Sequence, residues 1–323
     1  MKRIYGLSVN LPLEIARRLE STPAAAEINI SSWNSRAGNI SDGTEWYHHW
    51  QNSDDGHIWL LAGRRSDCFY VLRFVDENVD FAIAPDGGTI HYQCLTDFES
   101  GNVRHLVLTQ VLPLVMNLRG TEALHASAVL NSAGAITFVG HSGYGKSTLA
   151  ASLIQSCSQL ISDDVVPIYL RKGQTWTSNG SPDMGLWPRA RRLLSLNKKI
   201  ENPTDKCRMT LPRRLHRTGD FPLSRIYFLS PSEQIAATEI TLLSPQESLL
   251  ELLKATYRLD IRDADMLERQ FATLSQVAQL VMSKRITYPA GIPNPAELSE
   301  SIQQDLCHGS LKSVIPHSFS GNL

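Results

Sequence analysis

The stretch Val139-Gly-His-Ser-Gly-Tyr-Gly-Lys-Ser-Thr148 sets three glycines beside a lysine and the hydroxyl pair Ser147–Thr148. From Gly140 to Ser147 it fits G-x-x-x-x-G-K-[ST]. Glycines let a backbone fold tightly enough for successive N–H groups to converge on phosphate oxygens. A helix starting at the lysine adds the positive end of its dipole. In this pattern Lys146 reaches the β- and γ-phosphates and the Ser147 hydroxyl ligates Mg²⁺. Gly140, His141, Ser142, Gly143, Tyr144, Gly145 and Thr148 complete the cradle. The plain alternative is a chance match in a glycine-bearing loop. Context argues against it, because "AITFVG" before the loop reads as a buried strand and "STLAASLIQ" after it as a helix. The expected ligand is a nucleoside triphosphate, ATP, with Mg²⁺.

Working outward, "ALHASAVL" suits a strand and "NSAG" a tight turn into the cradle strand. So short a link joins antiparallel neighbours, since a parallel return needs a dozen residues or more. Beyond the helix, "QLISDD" and "VVPIYL" give a further strand region, and "RKGQ" turns into "TWTSNG". The expected sheet is therefore mixed, with hairpins on both sides of a single βαβ step. Asp163 and Asp164 fall one short helix after the cradle. Adjacent carboxylates offer two roles, one facing a metal while the other accepts a proton. A solvated turn is the bland reading of Asp-Asp, but apolar residues flank this pair on both sides. His125 lies in "LHASAV", on the strand that hairpins into the cradle. A lone strand histidine is more often packed than catalytic, yet an imidazole near a carboxylate can tune proton transfer.

The rest of the chain bounds the possibilities. Its 323 residues suit two domains, and 42% hydrophobic against 20% charged residues support a packed core. A net charge of −1 gives no general basic field, so nucleic acid is not an expected partner. Five dispersed cysteines without a CxxC pair read as thiols in a reducing compartment. The ten histidines show no zinc-ligand spacing. No basic start leads into an apolar run, and no stretch of about 18 apolar residues appears, so a soluble cytoplasmic protein without membrane contact is expected.

Residues 1–118 read as a β-rich domain, in which "YVLRFV", "VDFAIA" and "TIHYQC" are punctuated by Asp-Glu-Asn and Pro-Asp-Gly-Gly. A helix over 103–120 closes it, with Pro113 kinking or dividing it and Gly120 as the stop. The second domain spans 119–306, and 307–323 reads as a loose tail. "LSRIYFL" and "ATEITLL" read as strands joined by a loop containing Pro231. "SPQESLLELLKATY" is a helix with Ser244 as N-cap and Glu247 completing a capping box. "DADMLERQFATLSQVAQLVM" is amphipathic through Leu267, Phe271, Leu274, Val277 and Val281. Asn294 caps a last helix. The front domain has two readings, a platform for the leader of a peptide substrate and a subunit interface of a homo-oligomer.

A histidine strand, a short turn, "GxSGxGKS", one helix and an Asp-Asp strand together resemble the HPr serine kinase/phosphorylase family. Its stand-alone relatives, found beside peptide-maturation genes, share the pattern. The likeness is specific from Leu124 to Ile168 and weaker through "GLWPRARRLL" and "DKCRMTLPRRL". It implies an α/β fold, a mixed-sheet core of the HPr kinase/phosphoenolpyruvate carboxykinase type, preceded by the smaller β-rich domain. It also implies ATP-dependent transfer to a serine hydroxyl. By position Asp163 becomes the candidate general base with His125 as its supporting partner, and Asp164 and Ser147 candidate Mg²⁺ ligands. The roles of the two aspartates are exchangeable at this level. Lys206 and Arg208 become candidates for neutralising charge on the phosphoryl group; surface charge is their alternative. The bifunctional members carry an acidic residue where this chain has Thr148, and a downstream glycine-rich carrier-binding signature missing here. Both departures point away from phosphorylase activity and from HPr as acceptor. The implied acceptor is then a peptide or protein serine, foremost the C-terminal serine of a lasso-peptide precursor. A nucleotide-sensing module with little chemistry is the alternative from another class.

Overall fold

A computed structural model describes residues 1–34, 38–52, 55–95, 100–193, 207–291 and 294–310. Within the front region the β-rich runs form the expected meander. Thr44–Gln51, Ile58–Arg65, Tyr70–Phe74, Val79–Ile83 and Thr89–Cys94 pair antiparallel in succession. Asn78 and Gly87 hold their connections at φ of 54° and 69°, a region these two residue types enter at low cost. Ile28–Ser32 and Leu7–Asn10 add to the meander in parallel, and two shorter strands bring the sheet to nine.

The closing helix runs as Ser100–Leu106 and Leu112–Leu118 with a π turn, Val107–Val111, between them. Pro113 has no N–H to donate, and the wider turn just ahead of it accommodates that loss. Gly120, at φ 77°, ends the helix as expected, its N–H donating to the Asn117 carbonyl at 3.2 Å. Val107, Val111, Leu112 and Val115 bury against Ile4, Phe74, Phe81 and Ile90 of the nine-stranded sheet. Each such side chain contributes about 1.5–3 kcal/mol of burial. Ala123, Val165 and Leu259 join the same core, so the front region and the second sheet are packed together.

The second sheet has eight strands and is mixed. Glu122–Asn131 pairs antiparallel with Gly134–Val139, as the short Asn131–Gly134 turn demands. Gly134–Val139 pairs in parallel with Asp220–Ser232 on its other side. Alternation then sorts the side chains. Ile136 and Phe138 face a core made with the helix Lys146–Gln155, while Ala135 and Val139 face one made with Ala264–Leu280. Asp220–Ser232 also touches Gln174–Ser178 through its first residues, so the strands close into a ring.

Asp220–Ser232 and Glu239–Leu242 both form as strands, and Met282–Pro289, where no strand is expected from the sequence, lies between them. Two expectations are corrected. Pro231 belongs to the strand, paired with Tyr288, rather than to a loop. Phe271 is exposed, and Gln270 takes the buried place next to it by hydrogen bonding to Glu122 at 2.7 Å. The helix starts hold: Ser244 and Glu247 form the capping box, and the Asn294 side chain accepts from the Ala296 N–H. The last helix, Pro295–Ser310, continues past Cys307. Among the described residues no helix is long and apolar enough to cross a membrane.

That last helix is tied to the sheet by Asp305, which pairs with Lys284 and Arg225 and accepts from the Tyr227 hydroxyl at 2.7 Å. The side chains of Arg225, Lys284 and Asp305 are only 11%, 15% and 17% exposed. Asp305→Ala leaves two cations and a buried hydroxyl without this carboxylate. The expected loss is about 3–5 kcal/mol, read as a lower midpoint in urea at unchanged m-value. A midpoint equal to wild type would show that the carboxylate is not what holds the helix.

Candidate active site

The cradle stands at the end of strand Gly134–Val139, where the chain turns into the helix Lys146–Gln155. Gly143 and Gly145 take φ of 85° and 88°, which a side chain would strain. Gly140 is needed for a different reason: a Cβ there would lie 3.2 Å from the Leu229 side chain. The helix begins at Gly145 without a side-chain cap, so its first N–H groups are turned to the loop's mouth. His141, Ser142 and Gly143 form the exposed rim. The rings of His141 and Tyr144 meet edge to face at 5.3 Å, and the Tyr288 hydroxyl anchors the loop by donating to the Tyr144 carbonyl at 2.6 Å. Lys146 is buried, and its Nζ bonds to the carbonyls of Gly140 and His141 at 2.8 and 3.1 Å. Ser147 and Thr148 follow in the first helical turn.

The aspartates arise from a break in pairing. Gln159–Ser162 and Val165–Arg171 both lie along the same edge of Glu122–Asn131. Asp163 and Asp164 fill the gap between them, opposite Ser127 and Ala126, and the register shift at Ala128/Val129 falls just before them, at Ile161. Asp164 takes φ 65°, a left-handed conformation tolerated best by Asn and Asp among side-chain-bearing residues. That left-handed residue makes a local bulge in the strand's course and breaks the alternation of a regular strand. Here it delivers consecutive carboxylates to one end of the sheet.

Asp163 is 6% exposed, with one carboxylate oxygen accepting from the Ser127 hydroxyl and the other from the Gly185 N–H at 3.0 Å. Ser127 stands two residues after His125 and so points to the same face of the strand. The Asp164 carboxylate lies 3.9 Å from Arg208. His125 Nδ1 lies 3.2 Å from the Asp164 carbonyl, so the histidine is held at the bulge's backbone. His125 also lines a cavity of about 320 Å³ with Gly140, His141, Ser142 and Tyr144, and with Arg285 of Met282–Pro289. The aspartates line a second cavity of about 150 Å³.

Around that second cavity stand residues that no sequence pattern singles out. Arg104, His105, Leu108 and Thr109 come from the helix of the front region. Arg104 pairs with Asp183 at 2.6 Å, and Thr210 donates to the same carboxylate at 2.6 Å. Burial raises the Asp183 carboxyl, but hydrogen bonds from Thr210 and Arg104 outweigh it and hold it below the usual range. Burial pushes the Tyr257 hydroxyl well up, and the Asp164 charge adds to that shift. None of these pairings has a sequence signal, because each joins residues far apart in the chain; Ser127 alone was within reach, by alternation from His125. Lys206 lies outside the described residues.

The donors suit the expected ligands. Uncapped helical N–H groups and a loop lysine fit a polyphosphate. The Ser147 hydroxyl and the Asp164 carboxylate are oxygen donors of the kind Mg²⁺ takes, but Asp164 lines the cavity shared with Arg208 and not the one at the cradle.

Neither a family model nor a curated protein matches the chain. Among solved structures, the Hpr(Ser) kinase/phosphatase from Coxiella burnetii aligns with 59% of this chain and 97% of its own. Identity is 14% and the TM-score 0.33. A likeness at that level assigns no residue a role.

Proposed function

We propose that this chain is an ATP-dependent kinase that transfers the γ-phosphoryl group to a serine hydroxyl. The observation that supports it most is a fixed carboxylate, Asp163, on the far side of the His125 strand from a lysine-bearing phosphate cradle. A module that only senses nucleotide has no use for a proton acceptor held in that way. Lys146 and the helical N–H groups would bind the triphosphate. Asp163 takes the proton from the acceptor O–H as that oxygen bonds to the γ-phosphorus. The bond from the γ-phosphorus to the bridging oxygen breaks, and ADP leaves. Arg208 neutralises charge on the transferring group, and Lys206 is proposed for the same task from the sequence alone. His125 steadies the bulge that carries the carboxylates. Ser147 and Asp164 would hold Mg²⁺, which shields the β- and γ-phosphoryl oxygens.

The acceptor is proposed to be a peptide serine, foremost the C-terminal serine of a lasso-peptide precursor. The sequence resemblance supports this, and Thr148 in place of an acidic residue speaks against HPr. The cavity of about 150 Å³ beside the aspartates is large enough to admit a hydroxymethyl side chain. The test is mass spectrometry of serine-bearing peptides incubated with the protein, ATP and Mg²⁺. A gain of one phosphate on serine is expected. Release of free phosphate alone with every acceptor would replace the kinase by an ATPase.

A further inference from the structure

The front region reaches the aspartates through one helix, and the hydrogen bonds there determine a protonation state. Thr109 Oγ1 lies 2.9 Å from both the carbonyl and the Nδ1 of His105, one turn earlier. Its one proton goes to the carbonyl, which can only accept, so Nδ1 must be the protonated nitrogen and donate to Oγ1. On the other edge of the ring, Nε2 lies 2.8 Å from Arg208 Nη2. A guanidinium has donors and no acceptor, so Nε2 must present its lone pair. The two edges agree on a neutral imidazole in the Nδ1–H form. The opposite tautomer would set two donors against each other. The π turn Val107–Val111 lies in the same stretch, where an extra residue per turn is often found next to function.

The same Arg208 Nη2 also faces Asp164 at 3.9 Å. Arg208 is 40% exposed, and without a second contact its long side chain would sample many rotamers. We propose that His105 is a positioning residue: its Nε2 lone pair aims the Arg208 guanidinium at the Asp163–Asp164 bulge, so that the front region walls the phosphoryl-transfer site on that side. This rests on the kinase reading and on Arg208 meeting the transferring group. It gives the β-rich region a role in chemistry besides any docking.

Two substitutions separate positioning from packing, because each amide copies one ring nitrogen. In His105→Gln the side-chain oxygen reaches the place of Nε2 and accepts from Arg208. In His105→Asn the amide reaches only the place of Nδ1, keeping Thr109 and losing Arg208. With Mg²⁺, ATP and a serine peptide as probes, His105→Gln should keep kcat within about threefold. His105→Asn and Arg208→Met should each lose on the order of 10²-fold in kcat, with KM for ATP little changed. Equal activity of the Gln and Asn variants would overturn the proposal. A second measurement needs no turnover: long-range ¹H–¹⁵N spectra of histidine-labelled full-length protein, with His105 assigned by its loss in His105→Gln. The Nδ1–H tautomer is expected, whereas free imidazole favours Nε2–H. An Nε2–H signal would overturn the positioning role even in an active kinase, and an Nδ1–H signal in a protein that phosphorylates nothing would leave the contact standing and remove the kinase.

Discussion

Lys146→Ala is expected to abolish productive ATP binding and to reduce transfer by at least about 10²–10³-fold. Lys146 is the first residue of a helix whose N-terminus has no side-chain cap, and its ammonium is folded over the loop onto the Gly140 and His141 carbonyls. Those bonds keep a cation at the mouth before nucleotide arrives, so little reorganisation is needed when phosphate oxygens displace the carbonyls. Alanine removes both the cation and the clamp. The clamp has a separate signature: two hydrogen bonds from a charged donor sum to a few kcal/mol at most. A modest fall in melting temperature should therefore accompany the loss of binding. Titration calorimetry with ATP and Mg²⁺ reads the affinity, and a transfer assay reads the rate. Transfer undiminished in the variant would remove the cradle assignment, and the proposed function with it.

What can be read from the sequence divides along physical lines. The cradle, its flanking strand and helix, the hairpin from His125 and the Asp163–Asp164 pair one helix on all depend on residues close in the chain. Turn length forces the antiparallel pairing of Glu122–Asn131 with Gly134–Val139, and helix caps such as Ser244 are set by four consecutive residues. Met282–Pro289 is hidden because the apolar run of the preceding helix, ending in Ala278, Leu280 and Val281, continues into Met282 without a break. The β-rich triplet Ile286-Thr287-Tyr288, with its two large side chains two residues apart, is the available signal. Pro231 lacks an N–H yet sits in a strand, so its presence alone points the wrong way there. The clamp on Asp163 by Gly185, the Arg104–Asp183 pair and the His105–Arg208 contact bring together residues 22 to 103 positions apart. Periodicity and motif spacing carry no information over such separations; only the closed sheet does.

Asp163→Asn is the substitution that isolates chemistry from binding, because an amide can remake the Ser127 and Gly185 hydrogen bonds. Asp163 receives one hydrogen bond from the Ser127 hydroxyl and one from the Gly185 N–H. The backbone N–H can only donate, so the asparagine oxygen must take that place. Its NH₂ then faces Ser127, whose hydroxyl can rotate and accept. Both contacts survive and the fold should hold, while the proton acceptor is gone. ATP affinity is expected to stay within about threefold of wild type, and transfer to a serine peptide to fall by about 10²–10⁴-fold, the usual range for a lost general base. Asp164→Asn should behave differently. That carboxylate faces Arg208 at 3.9 Å and is proposed to hold Mg²⁺, so its loss should raise the Mg²⁺ concentration needed for half-maximal rate. Measuring transfer against Mg²⁺ for both variants separates the two roles. If Asp163→Asn shows the shifted Mg²⁺ requirement and Asp164→Asn the lost transfer at saturating Mg²⁺, the assignments exchange between neighbours. If both variants transfer at the wild-type rate, no carboxylate in this bulge accepts the proton.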